Sequence, residues 1–146
     1  PYTTLFRSST TAVDMPSSPI KGCGKILIMD DEKDVCEVAS NMLTHLGYDV
    51  VIAYNGEEAL QMYTDLQKTA SPVDLIIMDL TIPGGMGGED AVKKILAIDS
   101  EAKIIVSSGY SNDPVIANHR QYGFSAALKK PFKISEISEI VSFHLS

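Results

Sequence analysis

The chain has 146 residues, of which 45% are hydrophobic and 21% are charged, and its formal net charge is −7. This length allows one domain with a proper core, and the composition is ordinary for a globular protein. The acidic balance without a basic stripe argues against nucleic acid or an anionic membrane as a partner, and no apolar run approaches the ~20 residues that a membrane-spanning helix requires.

The first 24 residues differ from the rest of the chain in composition. PYTTLFRS, residues 1–8, resembles the translation of a common sequencing-adaptor oligonucleotide, and we exclude it from fold reasoning. Residues 9–24 are rich in Ser, Thr, Pro and Gly, which is typical of a linker. We therefore expect the folded domain to occupy residues 25–146.

From residue 25 onward, short apolar runs alternate with helical patterns. Residues 26–29 (ILIM) predict a first strand, and residues 48–53 (YDVVIA) predict a second. Between them, apolar residues recur at helical spacing up to a glycine at position 47; they are Val35, Val38, Ala39, Met42, Leu43 and Leu46. Asn55 is predicted to cap a second helix, because Glu58 three residues later completes the pattern of a capping box.

The second half of the chain continues this alternation. Residues 75–79 (LIIMD) are apolar on consecutive positions, as expected of a strand that is covered on both faces. A glycine-rich loop (IPGGMGG) leads to a third helix, and residues 103–107 (KIIVS) predict a fourth strand. Pro114 suits the first turn of a weaker fourth helix that ends near Gly123. Residues 125–129 predict a fifth strand, and a last helix is lined by Ile134, Ile137, Ile140 and Val141.

Five strands that alternate with five helices predict an α/β fold. The expected architecture is a doubly wound five-stranded parallel sheet with right-handed crossovers and helices on both faces. In such sheets, ligands bind outside the carboxyl ends of the strands, at the point where the strand order reverses. Residues at the strand ends are therefore the candidates for a functional site.

Chemically complementary side chains follow four of the five predicted strands. They are Asp30 and Asp31 after the first strand, Asp79 at the third, Ser107 at the fourth, and Lys129 and Lys130 after the fifth. The carboxylates repel one another unless a cation compensates, and Mg²⁺ needs only one or two direct carboxylates plus waters. A lysine and a hydroxyl suit a transferred phosphoryl group, and an aspartate can itself be the nucleophile. The cluster predicts a metal-assisted phosphoryl site.

The motifs MDDE, LIIMDLTIPGGMGG, IIVSSGY and LKKPF resemble those of the receiver domain of bacterial two-component response regulators, over about residues 25–145. The resemblance implies the flavodoxin-like receiver fold and a phosphoacceptor at Asp79. Its phosphodonor partner would be a histidine kinase or a phosphotransfer protein. The resemblance also implies Mg²⁺ held by Asp31, Asp79 and the carbonyl of Thr81, with Asp30 assisting through water.

The same resemblance assigns a switch hydroxyl to Ser107 and the functional lysine to Lys130, immediately before Pro131. Lys129 is then a solvated neighbour. This chain departs from the family at the position three residues before the lysine, where receivers commonly have an aromatic switch residue and this chain has Ala127. A ring at that position cannot report phosphorylation here.

The glycine-rich loop, SSGYSNDP and YGFSAALKKPF resemble the receivers found at the C-terminus of hybrid sensor histidine kinases. Together with the linker, this predicts a receiver cut from a larger kinase. We expect self-phosphorylation and autodephosphorylation rather than turnover of a separate substrate. Cys23 and Cys36 fit no disulfide framework or metal-ligand spacing, which favours a reducing cytoplasm.

Three other functions were considered. A nucleotide-binding domain would need a glycine loop after the first strand, where this chain has DDEKD. A phosphatase that resembles the haloacid dehalogenases would place its nucleophile at the end of the first strand and another Asp two residues later, a spacing that Asp30, Asp31 and Glu32 lack. A degenerate receiver that serves only as an interaction module stays open because of Ala127, although all the expected site residues are present.

Overall fold

The computed structural model describes residues 21–109 and 113–145. Their five strands are β1 (Lys25–Met29), β2 (Asp49–Ala53), β3 (Leu75–Asp79), β4 (Ile104–Ser108) and β5 (Ala126–Lys129). All neighbouring strands pair in parallel, in the order β2-β1-β3-β4-β5. The order reverses at β1 and β3, so the crevice between their carboxyl ends is the expected ligand site. The predicted fold class is confirmed.

The helices of the described residues are α1 (Lys33–His45), α2 (Gly56–Leu66), α3 (Gly88–Ile98), α4 (Pro114–Ala117) and α5 (Ile134–Leu145). Side chains of successive strand residues point to opposite faces of the sheet, so the strands feed two cores. One core packs under α2 and α3 and includes Leu27, Ile76 and Val106. The other packs under α1 and α5 and includes Ile28, Ile77 and Ile105. None of these helices is long and apolar enough to cross a membrane.

Helix α1 presents the predicted inner face with one exchange, because Cys36 lies on that face and Val38 does not. Cys36, Ala39 and Leu43 are buried, whereas Val38 is 49% exposed. At 100° per residue, Val38 lies about 200° around the helix from Cys36 and therefore faces solvent. The cap predicted for α2 is confirmed, because Asn55 Oδ1 accepts a hydrogen bond from the backbone N–H of Glu58 at 2.8 Å.

The predicted fourth helix is present only as two short pieces. Helix α4 spans Pro114–Ala117 and is capped by Asp113, and a 3₁₀ helix follows over His119–Tyr122. Asn118 interrupts the two, with φ −117° and ψ 36°. Val115 is the one buried residue of α4, so this segment has too little apolar face to hold a continuous α-helix against the sheet.

The predicted adaptor-derived residues 1–8 and most of the predicted linker, 9–20, lie outside the described residues. Residues 21–24 lead directly into β1. The proposed boundary of the domain at residue 25 remains a prediction.

Candidate functional site

Strands β1, β3 and β5 end at the same edge of the sheet and bring Asp30, Asp79 and Lys130 together. Asp30 follows β1 and is 1% exposed, and Asp79 ends β3 and is 8% exposed. The ammonium Nζ of Lys130 lies 2.9 Å from Asp30 Oδ2 and 3.4 Å from Asp79 Oδ1. Two carboxylates that would otherwise repel each other are thus bridged by one cation.

Asp30 is held by several hydrogen bonds besides the ion pair with Lys130. Its Oδ1 accepts from the backbone N–H of Glu32 at 2.9 Å, and its backbone N–H donates to the carbonyl of Ala53 at 3.1 Å. The Cys36 thiol donates to the Asp30 carbonyl with an Sγ–O distance of 3.3 Å. The Lys130 ammonium and the Glu32 N–H offset the cost of burying the carboxylate, and the other two bonds hold the backbone at the end of β1.

The carboxylates of Asp30, Asp31 and Asp79 form a cluster that can hold a metal ion. One oxygen from each lies within 4.8 Å of the others, and Asp31 is exposed toward the cleft. Three carboxylates against the single ammonium of Lys130 leave excess negative charge. Carboxylate oxygens with room for water are the donors that Mg²⁺ prefers, so the residues present fit a hard divalent cation. Thr81 lines the same cleft.

The environment of Asp79 destabilises the charged form of its side chain. Burial, and after it the charge of Asp30, raise the pKa of Asp79 to about 6, although Lys130 acts in the opposite direction. Burial alone would lower the pKa of Lys130, but the hydrogen bond to Asp30 and the charge of Asp79 outweigh it, and the net shift is upward. Lys130 therefore stays protonated, while Asp79 is a poorly solvated carboxylate that an added cation would stabilise.

An open cleft of about 650 Å³ lies over these residues. Its walls include Asp31, Thr81, Ser108 and Lys130, with Asp79 at its floor. This space admits a phosphoryl group and the side chain of a second protein. The position agrees with the predicted ligand site at the carboxyl ends of the strands.

The two serines of β4 are both buried but lie differently with respect to the cleft, and the switch role expected of Ser107 remains a prediction. Ser107 is the partner of Asp79 in the strand register, is 1% exposed, and does not line the cleft. Ser108 does line it. The predicted strand ended at residue 107, but β4 continues to Ser108, and neighbouring strand residues point to opposite faces. Ser108 is the last residue of β4 and therefore borders the cleft at the strand ends, and the sequence does not show that the strand continues to it.

Sequence reasoning also missed two contacts of the site. Glu32 Oε1 lies 3.7 Å from Lys130 Nζ, and its side chain is 63% exposed. Cys36 was connected with no site in the sequence, but its thiol contacts the Asp30 backbone carbonyl directly. Lys129 is exposed, as predicted.

Comparison with known proteins was made against family models and curated sequences. The family model described as the response regulator receiver domain matches residues 26–142. The chain is 34% identical over 119 residues to the chemotaxis protein CheY of Thermotoga maritima, covering 81% of this chain and 94% of that relative. It is 31% identical over 121 residues to the sporulation initiation phosphotransferase F of Bacillus subtilis, covering 83% of this chain and 93% of the relative.

Solved structures of response regulator proteins are also similar to this chain. The response regulator protein TrrA of Thermotoga maritima, crystallised in complex with Mg²⁺-BeF, is similar with a TM-score of 0.72 at 29% identity. The match covers 83% of this chain and 98% of TrrA. A CheX–CheY–BeF₃–Mg²⁺ complex from Borrelia burgdorferi gives a TM-score of 0.76 at 22% identity, over 84% of this chain and 90% of that one, a likeness of fold.

Proposed function

Because the chain belongs to the response regulator receiver domain family of two-component signalling, we propose that its Asp79 accepts a phosphoryl group from a phosphohistidine. The donor is a histidine kinase or a phosphotransfer protein. One observation carries this proposal: Asp79 is a carboxylate at the floor of the cleft, 3.4 Å from Lys130 and clustered with Asp30 and Asp31. The Bacillus subtilis relative is named as a phosphotransferase, which supports the same chemistry.

In the proposed reaction, a carboxylate oxygen of Asp79 attacks the phosphorus atom. A new O–P bond forms as the P–N bond to the donor imidazole breaks, and the imidazole nitrogen takes the electron pair. Lys130, held by Asp30, stabilises the negative charge of the phosphoryl oxygens. The product is an aspartyl phosphate.

Asp31, Asp79 and the carbonyl of Thr81 are the residues that would bind Mg²⁺, with Asp30 assisting through water. When bound, the ion would neutralise charge on the phosphoryl oxygens. The cluster of three carboxylates supports this assignment, and TrrA was crystallised with Mg²⁺.

Ser108 is proposed as the hydroxyl that hydrogen-bonds to the phosphoryl group, in place of Ser107. It lines the cleft one residue beyond the register partner of Asp79. A hydrogen bond from a hydroxyl to an anionic phosphoryl oxygen is charge-assisted and stronger than a neutral one. Ala127 has no ring that could follow a movement of Ser108, so we expect the response to reach α4 by another route; residues 110–112, between β4 and α4, lie outside the described residues.

We also propose the kind of parent protein that contains this domain and the compartment in which it acts. Residues 25–146 would act as the receiver unit after a linker at 9–24, within a hybrid histidine kinase in the cytoplasm. The glycine-rich loop and the composition of the linker support this arrangement.

Intact mass after incubation with acetyl phosphate and Mg²⁺ tests the proposed phosphorylation. We expect one added phosphoryl group on the wild type and none on Asp79→Asn. Asp65→Asn is the matched control, because Asp65 is exposed on α2 outside the cleft. Equal incorporation in wild type and Asp79→Asn would reject the assignment. No incorporation in the wild type, together with no beryllofluoride binding, would favour a degenerate receiver that acts only as an interaction module.

A further inference from the structure

The loop between β3 and α3, residues 80–87, forms one wall of the cleft and carries Thr81. It closes on itself, because the backbone N–H of Gly88 donates to the carbonyl of Leu80 at 3.0 Å. A Cβ at Gly88 would lie only 2.7 Å from the carbonyl oxygen of Asp79. The end of the loop therefore packs directly against the backbone of Asp79. The position of Thr81, at the start of the same loop, depends on how this end is held.

The first turn of α2 holds the returning end at Met86. The backbone N–H of Gly56 donates to the Met86 carbonyl at 2.8 Å, and the Met86 N–H donates to Glu57 Oε1 at 3.3 Å. The N–H groups in the first turn of a helix have no acceptor within the helix, which leaves that of Gly56 available to the loop. We call Gly56, Glu57 and Met86 the Met86 clamp.

The clamp depends on a close approach of two backbones. A Cβ at Gly56 would lie 2.7 Å from Cγ of Met86 and 2.8 Å from its carbonyl oxygen, closer than such atoms can approach. Any larger residue at position 56 would push the loop away from α2. The Met86 side chain also packs against the core beneath α2 and α3, so the loop is held by both backbone and side chain.

Magnesium makes the position of this loop matter. The ion demands near-ideal octahedral geometry and tolerates displaced ligands poorly. Groups behind the direct ligands fix their orientation, and their loss typically costs about 10- to 100-fold in metal affinity. Thr81 is exposed and lies on the loop, so its carbonyl has no strand to hold it in place.

We propose that Gly56 and Glu57 are positioning residues for the metal site, because their hold on Met86 keeps the loop in the place where the Thr81 carbonyl can bind Mg²⁺. This inference rests on the proposed function, since it concerns a metal bound by Asp79 and Thr81. Gly56 and Glu57 do not touch the metal or the phosphoryl group themselves.

Calorimetric titration of the metal-free protein with Mg²⁺ tests the inference. We expect Gly56→Ala to weaken binding by about tenfold and Glu57→Ala by about threefold. Glu57→Gln should stay within about twofold of the wild type, because its amide oxygen still accepts from the Met86 N–H. Glu89→Ala is the control for charge, since Glu89 is also an exposed carboxylate in the first turn of a helix, and it should bind like the wild type.

Amide hydrogen exchange at Met86, measured without metal, gives a second readout. Exchange should be faster in Glu57→Ala than in the wild type and unchanged in Glu57→Gln. Mg²⁺ binding of wild-type strength in both Gly56→Ala and Glu57→Ala would overturn the inference, and equal weakening by Glu57→Gln and Glu57→Ala would reject the hydrogen bond as its cause. If the wild type binds no Mg²⁺, or if Asp79→Asn binds it unchanged, the proposed metal site itself is wrong.

Discussion

Replacement of Asp79 by asparagine is expected to stabilise the metal-free domain. The pKa of Asp79 is raised from 3.8 to about 6, so the folded protein holds a proton that the unfolded chain releases. Each pKa unit corresponds to about 1.4 kcal/mol, and the ionised side chain therefore costs the fold up to about 3 kcal/mol. Asparagine has the same shape but no charge, and it removes this cost.

Because the pKa of Asp79 is raised in the folded state, the stability gained by Asp79→Asn depends on pH in a defined direction. A carboxyl group with a raised pKa in the folded state destabilises the fold fully above pH 6, where it is ionised in both states. This penalty shrinks as pH falls toward 3.8, because the folded protein keeps its proton while the unfolded chain gains one. The advantage of Asp79→Asn should be up to about 3 kcal/mol at pH 8, about half of that near pH 5, and about 0.5 kcal/mol at pH 4.

Urea denaturation in the presence of EDTA, from pH 4 to pH 8, measures this difference. Asp65→Asn is the control and should stay within about 0.5 kcal/mol of the wild type throughout, as expected for an exposed substitution. If Asp79→Asn is no more stable than the wild type at pH 8, then the ionised Asp79 side chain does not destabilise the fold. If the gain does not decline as the pH falls, it does not come from that ionised side chain.

Three further predictions follow from the geometry of the site. Mg²⁺ at ten times its Kd should stabilise the wild type by about 1.4 kcal/mol in a thermal melt, and Asp31→Ala should lose most of that gain. Lys130→Ala should destabilise the metal-free domain by about 3 kcal/mol in urea and slow phosphorylation by acetyl phosphate, because it leaves Asp30 buried without its cation; Lys129→Ala should change neither. Ser108→Ala should alter the NMR shifts induced by beryllofluoride in β4, whereas Ser107→Ala should leave them unchanged.

The proximity of Asp30, Asp79 and Lys130 was predictable because it depends on the topology of the sheet alone. Once the chain is read as alternating strands and helices, a parallel sheet brings the carboxyl ends of its strands to one edge. Asp30, Asp79 and Lys130 then have to meet, whatever the details of packing. The structure places the Lys130 ammonium 2.9 Å from the Asp30 carboxylate and 3.4 Å from that of Asp79.

Features that depend on one residue of register or on packing between distant segments were not predictable. Ser107 and Ser108 are chemically equivalent in the sequence, and only the folded structure shows that Ser108 lines the cleft. The contact of Gly56 with Met86 joins segments that are far apart in sequence. The fourth helix was correctly expected to be weak, but its break at Asn118 has no local signal in the sequence.

Chemical trapping of the phosphorylated residue tests directly whether Asp79 is the phosphoacceptor. The wild type is treated with acetyl phosphate and Mg²⁺ and then with borohydride, which reduces an aspartyl phosphate to homoserine, and the modified peptide is sequenced by mass spectrometry. We expect homoserine at position 79 and an unmodified side chain at Asp30 and Asp31. Homoserine at position 30 or 31, with position 79 unchanged, would contradict it.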